Sequence, residues 1–287
     1  AGTHVYIPVS FRGTLAFADA GVTLESTDEP DVTDQPPVIA AAAFDTSDGH
    51  TLWTRQVDSG DDVGGLAAGS SSIAFTTVEP YTGGTQALYS WTPDGSDRWS
   101  AALDEGYETF DLSGLALDGS GDIYLAGMHD GDSDPVPGGP LYVDNENPFI
   151  HALDGSGASR WSWTLPASPG NDDISVTRAA FDPRGDVVVA GTIDAYADTI
   201  LYTGSGAISV GIDGLFEAWY APDGTPLGSR GVPDGTATSY ENLQGIALDS
   251  AGTTWLVGGY TGTPSFGDGP LAYEPESGIL VLRLAPP

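Results

Sequence analysis

The segment GLALDGSGDIYLAG, Gly114 to Gly127, recurs in this chain as RAAFDPRGDVVVAG from Arg178 and as GIALDSAGTTWLVG from Gly245. A shorter copy, GLAAGSSSIAFTT, starts at Gly65, so successive copies begin about 50 to 67 residues apart. Recurrence on that scale constrains the fold more than any other feature, because each unit is one supersecondary element that buries its apolar face only against its neighbours. An active site would be written once.

A second element follows each copy: ALYSWTPDGSDRWSAAL from Ala87, FIHALDGSGASRWSWTL from Phe149, FEAWYAPDGTPLGSRG from Phe216 and ILVLRLAPP from Ile279. VIAAAAFDTSDGHTLWTRQV, from Val38, is the same element near the N-terminus. Most of these are two β-like runs joined by an Asp-rich or Asp-Gly turn, a hairpin signature. One unit therefore has four runs, A to D: GLALD, DIYLAG, FIHALD and RWSWTL. Repeated about five times, they predict an all-β fold, a β-propeller of about five four-stranded blades. A single domain over 1–287 is expected, with blades near 1–58, 59–105, 106–168, 169–234 and 235–287. Helical periodicity is missing, and 40 Gly with 21 Pro oppose helices. Trp53, Trp99 and Trp161 recur at the start of run D and are expected to pack between blades.

The strand inventory is uneven. The first blade enters at run B with VYIPVS and lacks A; the last ends at run C with ILVLRLAPP and lacks D. Trimming at a repeat boundary, imperfect ring closure, or an edge filled by another molecule would each account for this. In the third case the unpaired backbone of an open edge drives strand donation between subunits.

GIALDSAGTTWLVGGYTGTPSFGDGPL followed by ILVLRL resembles the bacterial secreted β-propeller repeat called the SBBP repeat, related in layout to NHL repeats. VYIPVSFRGTLAFADAGVTL is similar to the middle of that unit, so the resemblance covers nearly the whole chain, with degenerate copies at Gly65 and Arg178. It implies a propeller on an exported or cell-surface protein, of the kind found in myxobacteria. It implies no reaction and carries no catalytic residues.

Charge narrows the partners. The chain has 41 acidic residues against 8 basic ones, all Arg, for a net charge of −33. Nucleic acid and anionic membrane surfaces are disfavoured, since both require a positive footprint; cations, basic protein surfaces or glycans are the expected partners. No run is apolar enough for a membrane span, and the absence of Cys removes disulfide and thiolate chemistry. Ala1 is read as the start of a processed chain whose export signal is gone, which places the protein outside the cell or on its surface.

Propeller topology puts the short A–B and C–D turns on one face and the long B–C and D–A loops on the other, where function usually resides. The long loops carry much of the acid, including Asp28, Glu29, Asp31, Asp34, Asp58, Asp61, Asp62, Asp104, Glu105, Glu108 and Asp111. In HDGDSDPVPGG, Asp130, Asp132 and Asp134 alternate and would converge on a hard cation such as Ca²⁺. Pro135 follows them and no Glu closes the loop, so an EF-hand pattern is not met. Tyr81, Tyr107, Tyr240 and Tyr260 are loop or loop-edge aromatics suited to stacking on sugars. Of four scattered His, His151 falls in a C strand, where a core role is expected. No nucleophile elbow, zinc-protease motif or phosphate loop occurs. The expected role is thus non-catalytic binding or assembly on the acidic long-loop face. One alternative is a structural subunit of an extracellular filament joined by strand complementation. Another is a polysaccharide-processing enzyme with paired carboxylates on the same face.

Overall fold

A computed structural model describes residues 4–26, 38–57, 62–78, 86–103, 110–131, 143–165, 173–182, 184–233, 240–266, 271 and 274–286. Five antiparallel sheets stand in a ring as the blades of a propeller. Blade 1 holds β1 (His4–Phe11), β4 (Val38–Asp45) and β5 (Thr51–Val57); between β1 and β4 a separate hairpin is formed by β2 (Thr14–Phe17) and β3 (Val22–Glu25). Blade 2 is β6 (Asp62–Ala68), β7 (Ile73–Val78), β8 (Gln86–Trp91) and β9 (Asp97–Leu103). Blade 3 is β10 (Phe110–Leu117), β11 (Ile123–Gly131), β12 (Val143–Leu153) and β13 (Ser159–Thr164). Blade 4 is β14 (Asp173–Phe181), β15 (Val187–Tyr202), β16 (Ala207–Tyr220) and β17 (Pro226–Pro233). Blade 5 is β18 (Tyr240–Leu248), β19 (Thr254–Gly262) and β20 (Glu274–Leu284). Among the described residues the first blade shows no A strand and the last no D strand, as the repeat pattern predicts.

Central strands are apolar on both faces because each is sandwiched between two blades. In β11, Ile123 and Leu125 turn toward blade 2 while Tyr124 and Ala126 turn toward blade 4, and all four are fully buried. Four hydrophobic cores result, one for each successive pair of blades. Ile39 and Ala41 meet Phe75 and Trp91 between blades 1 and 2; Leu88 meets Leu125 and Phe149 between 2 and 3. Tyr124 and Ile150 meet Val189 and Phe216 between 3 and 4; Leu215 meets Leu256 and Leu280 between 4 and 5.

Short turns fix the register. In the A–B turn, the Asp118 carboxylate accepts from the N–H of Ser120 (2.8 Å) and Asp122 (2.9 Å); Asp154 does the same in the C–D turn with Ser156 and Ala158 (2.8 and 3.1 Å). These are Asx turns, in which the side chain replaces backbone partners. A left-handed glycine closes each C–D turn: Gly49, Gly95, Gly157 and Gly224, with φ between 74° and 86°. The D-strand indole of the preceding blade lies on three of them. Trp53, Trp99 and Trp161 cover Gly95, Gly157 and Gly224 respectively. Their Nε1–H groups donate to carbonyls in the same turns, Pro93 (2.9 Å), Gly155 (3.0 Å) and Pro222 (3.0 Å). Blades 1, 2 and 3 are each thereby latched to the next on the short-turn face.

Candidate functional site

Blades 2 to 4 each have one face toward the preceding blade and one toward the following blade, and the same two faces can be assigned in blades 1 and 5 by register. On the B strand the following-blade positions are Tyr6, Ala74, Tyr124, Val188 and Trp255, aligned by the common B–C register. Ala74, Tyr124 and Val188 are fully buried, whereas Trp255 is 38% exposed. Beside it, Val257, Ile279 and Val281 are 42%, 82% and 56% exposed. Register pairs Val257 with Val281 and Gly259 with Ile279, so these side chains share one face of blade 5. That face repeats the chemistry of the four buried interfaces with no blade upon it. Covering a Val, Ile or Trp side chain contributes roughly 1.5–3 kcal/mol when complete, so several kilocalories per mole are available from this surface.

Among the described residues no strand pairs with the outer edge of β20. Arg283 stands on the same face, its guanidinium 5.8 Å from the Trp255 ring centre. Indole and guanidinium side by side on an apolar sheet are the residue types that dominate binding hot spots.

The other end of the chain is finished differently. The face of blade 1 away from blade 2 carries Val5, Ile7, Ala40, Ala42 and Phe44, and the β2–β3 hairpin folds onto its outer part. Phe17 packs on Phe44, with ring centres 6.3 Å apart. The Asp19 carboxylate accepts from the N–H and hydroxyl of Thr51 (2.5 and 2.8 Å), and the Gln56 amide donates to the Glu25 carbonyl (3.2 Å). Leu15 pairs with Leu24 and Phe17 with Val22, so one side of the hairpin is apolar and faces the blade. Thr14, Ala16, Thr23 and Glu25 turn to solvent. Ala40 and Ala42 are buried as a result, while Val5 and Ile7 on the inner strand stay 46% and 48% exposed. The C–D turn of this blade has no indole on it either: a methyl group on Gly49 would meet nothing within 4 Å.

Between blades 4 and 5, Gly228 occupies the D-strand position that is Trp161 in blade 3, each pairing with the corresponding C-strand residue, Trp219 and Ala152. Arg230 takes over the tie. It forms an ion pair with buried Glu217 (2.5 Å), donates to the Ala285 carbonyl (2.6 Å) and lies 5.2 Å from the Trp219 ring centre. Burial pushes the Glu217 pKa up, and Arg230 opposes that rise. A cleft of about 170 Å³ remains beside it, lined by Asp182, Arg184, Trp219, Ser250 and Pro286. It is smaller than the 300–1,000 Å³ usual for small-molecule pockets.

Near the propeller axis, Arg178 joins three blades. Its Nε–H donates to the Gln244 carbonyl (2.6 Å) of blade 5, and Nη1 donates to the Ser113 carbonyl (2.8 Å) of blade 3. Ser113 and Gln244 are the bulged residues of their A strands, so both carbonyls leave the ladder and are available. Sequence reasoning missed this role because a bulge has no signature in a single copy.

Of the expected metal ligands, the Asp130 backbone belongs to β11, while Asp132 and Asp134 lie outside the described residues. So do Asp28, Glu29, Asp31, Asp34, Asp58, Asp61, Asp104, Glu105, Glu108, Tyr81 and Tyr107. Tyr260 is corrected: it lies within β19, 7% exposed in the core against blade 4, and is no loop aromatic. His151 is fully buried, and neither ring nitrogen has a hydrogen-bond partner among the described residues. Burial lowers its pKa to about 4. Among the described residues no helix is long and apolar enough to cross a membrane.

No family model and no curated protein matches this chain. It is similar to solved structures at low identity. One is a protein of unknown function from Bacteroides caccae, at 14% identity and a TM-score of 0.43, over 86% of this chain and 69% of that one. Another is TolB from Acinetobacter baumannii, at 14% and 0.41, over 98% of this chain and 53% of TolB. A third is BamB from Moraxella catarrhalis, at 13% and 0.41, over 93% and 90%. Similarity at this level carries no argument about function.

Proposed function

We propose that the protein is a non-catalytic propeller, exported or displayed at the cell surface, that works by binding or assembly through the uncovered face of blade 5. The observation that carries this reading is the exposure of Trp255, Val257, Ile279 and Val281 at positions whose described counterparts in blades 2 to 4 are buried. A contiguous apolar patch on a soluble chain marks an interaction surface. The acidic long-loop face expected from the sequence, with Ca²⁺ at Asp130, Asp132 and Asp134, is a second place for ligands within the same proposal. The SBBP-type resemblance favours the exported setting.

Hydroxyl-radical footprinting of Trp255 tests the reading. In intact extract from cells that make the protein, Trp255 should be protected relative to the purified chain, with buried Trp91 unreactive in both. Equal reactivity of Trp255 in the two samples would remove the proposal.

A further inference from the structure

We infer that the occupant of the blade 5 face is blade 1 of a second copy of this chain, so that molecules join head to tail. The inference deepens the proposed function and rests on the same face being a docking surface. Four arguments lead to it.

The first is continuity. The interface between one blade and the next occurs four times in the molecule, and each time a following-blade face like that of blade 5 meets a preceding-blade face like that of blade 1. Only the last face and the first lack that partner among the described residues. The second is simultaneous exposure. Val5 and Ile7 are bare in the same molecule in which Val257 and Val281 are bare, so the ring does not cover its own seam.

The third is fit. The hairpin covers blade 1 at Phe44, Thr51 and Gln56, toward its outer strands, and blade 5 lacks the outer strand that would collide there. What remains on blade 1 is the inner strip of Val5 and Ile7 together with the unlatched turn at Gly49. The fourth is charge. Inside the ring, Arg55 of blade 1 reaches the next blade's C–D turn, donating to the Gly95 carbonyl (2.7 Å) and the Asp97 carboxylate (2.5 Å). Arg283 makes no hydrogen bond or ion pair among the described residues, and the turn and hairpin of blade 1 supply Asp48 and Asp19, the latter already accepting from Thr51. A symmetric pairing of two blade 5 faces would instead bring two Arg283 groups onto one surface.

Copies of net charge −33 repel one another. Association should therefore strengthen as salt shortens the screening length, from ~10 Å at 0.1 M to ~3 Å at 1 M.

Light scattering on the purified chain over that salt range is the test, with two variants, Val281→Asp on blade 5 and Ile7→Asp on blade 1. Both sites are exposed, and circular dichroism checks that the fold is kept; Val281→Lys and Ile7→Lys replace any variant that fails. The parent should form species that grow with concentration and salt. Each variant alone should stay near 29.5 kDa, and an equimolar mixture should give one species of twice that mass, because each variant retains one intact end. Dimers of Ile7→Asp alone would mean symmetric pairing of blade 5 faces and overturn the inference. A parent that stays monomeric at every salt concentration would overturn it too. If Trp255 is nevertheless protected in extract, a different partner holds the face and the proposed function stands.

Discussion

A methyl group placed on Gly224 and the same group placed on Gly49 should have different effects, and the difference measures the latch between blades. Both glycines close C–D turns in the left-handed region, at φ 86° and 74°. Alanine at either site meets the same backbone penalty, about 1–2 kcal/mol. At Gly49 nothing more is added, because no atom lies within 4 Å of the new carbon. At Gly224 the carbon would sit 2.7 Å from two ring atoms of Trp161, whose Nε1–H is tied to the Pro222 carbonyl at 3.0 Å. The indole must tilt away and lose that bond, and overpacking of this kind adds about 1–3 kcal/mol. Gly224→Ala should therefore be the more destabilising by roughly 1–3 kcal/mol. At about 2 °C per kcal/mol for a chain of this size, that is a further fall of roughly 2–6 °C in Tm. Thermal unfolding of the two variants and of Trp161→Ala/Gly224→Ala gives the answer. The excess should vanish once the indole is gone, since coupling requires contact. Equal effects at Gly49 and Gly224 in the parent background would refute the latch.

Removing the cation at the axis tests a second tie: Arg178→Met should destabilise by about 2 kcal/mol through loss of charged hydrogen bonds to the Ser113 and Gln244 carbonyls, and Arg178→Lys should recover only part of it by denaturant unfolding. His151 gives a pH signature. With its pKa lowered from 6.5 to about 4, the unfolded chain takes up the proton first, so stability is unaffected above pH 6.5 and falls as pH drops toward 4, by about 3 kcal/mol in all. His151→Leu should flatten that part of the stability curve relative to the parent, and parallel curves would exclude it. Self-repulsion at −33 also predicts a Tm that rises with added NaCl; a maximum in salt-free buffer would contradict it.

Much of this architecture was legible because the repeat is written in residues with direct structural consequences. Asp and Gly at fixed offsets mark the short turns, alternating apolar runs mark strands, and the recurrent Trp of the D strand announces a contact between blades. The missing A and D strands could be read by counting runs. The β2–β3 hairpin could not be placed in this way: LAF and VTL show which side is apolar but not which surface receives it. Tyr260 was misplaced because Gly258 and Gly259 resemble the end of a strand, whereas β19 continues to Gly262. The uncovered face was half visible in LVLRL. Assigning Trp255 and Val257 to the same surface required the pairing of β19 with β20.

The two ends of the ring bear on whether that face is incidental. Each interface is matched in detail to what lies across it. Blades 1 to 3 carry an indole in strand D where the next blade offers a turn glycine. Blade 4 carries Gly228 instead, and across from it Ala285 and Pro286 take the place of a C–D turn, held by Arg230. At the first blade a hairpin covers the outer part of the apolar face and presents Thr14, Thr23 and Glu25 outward, while Val5 and Ile7 on the inner strand stay about half exposed. A blade face left in water would alternate polar residues outward in the same way. Blade 5 keeps Trp255, Val257, Ile279 and Val281 there, the pattern of a strand pair between two blades, and beside Trp255 stands Arg283, a residue suited to an acidic neighbour. A face of this composition is what the proposed head-to-tail contact requires, and its proposed partner, blade 1 of another copy, belongs to a chain of net charge −33.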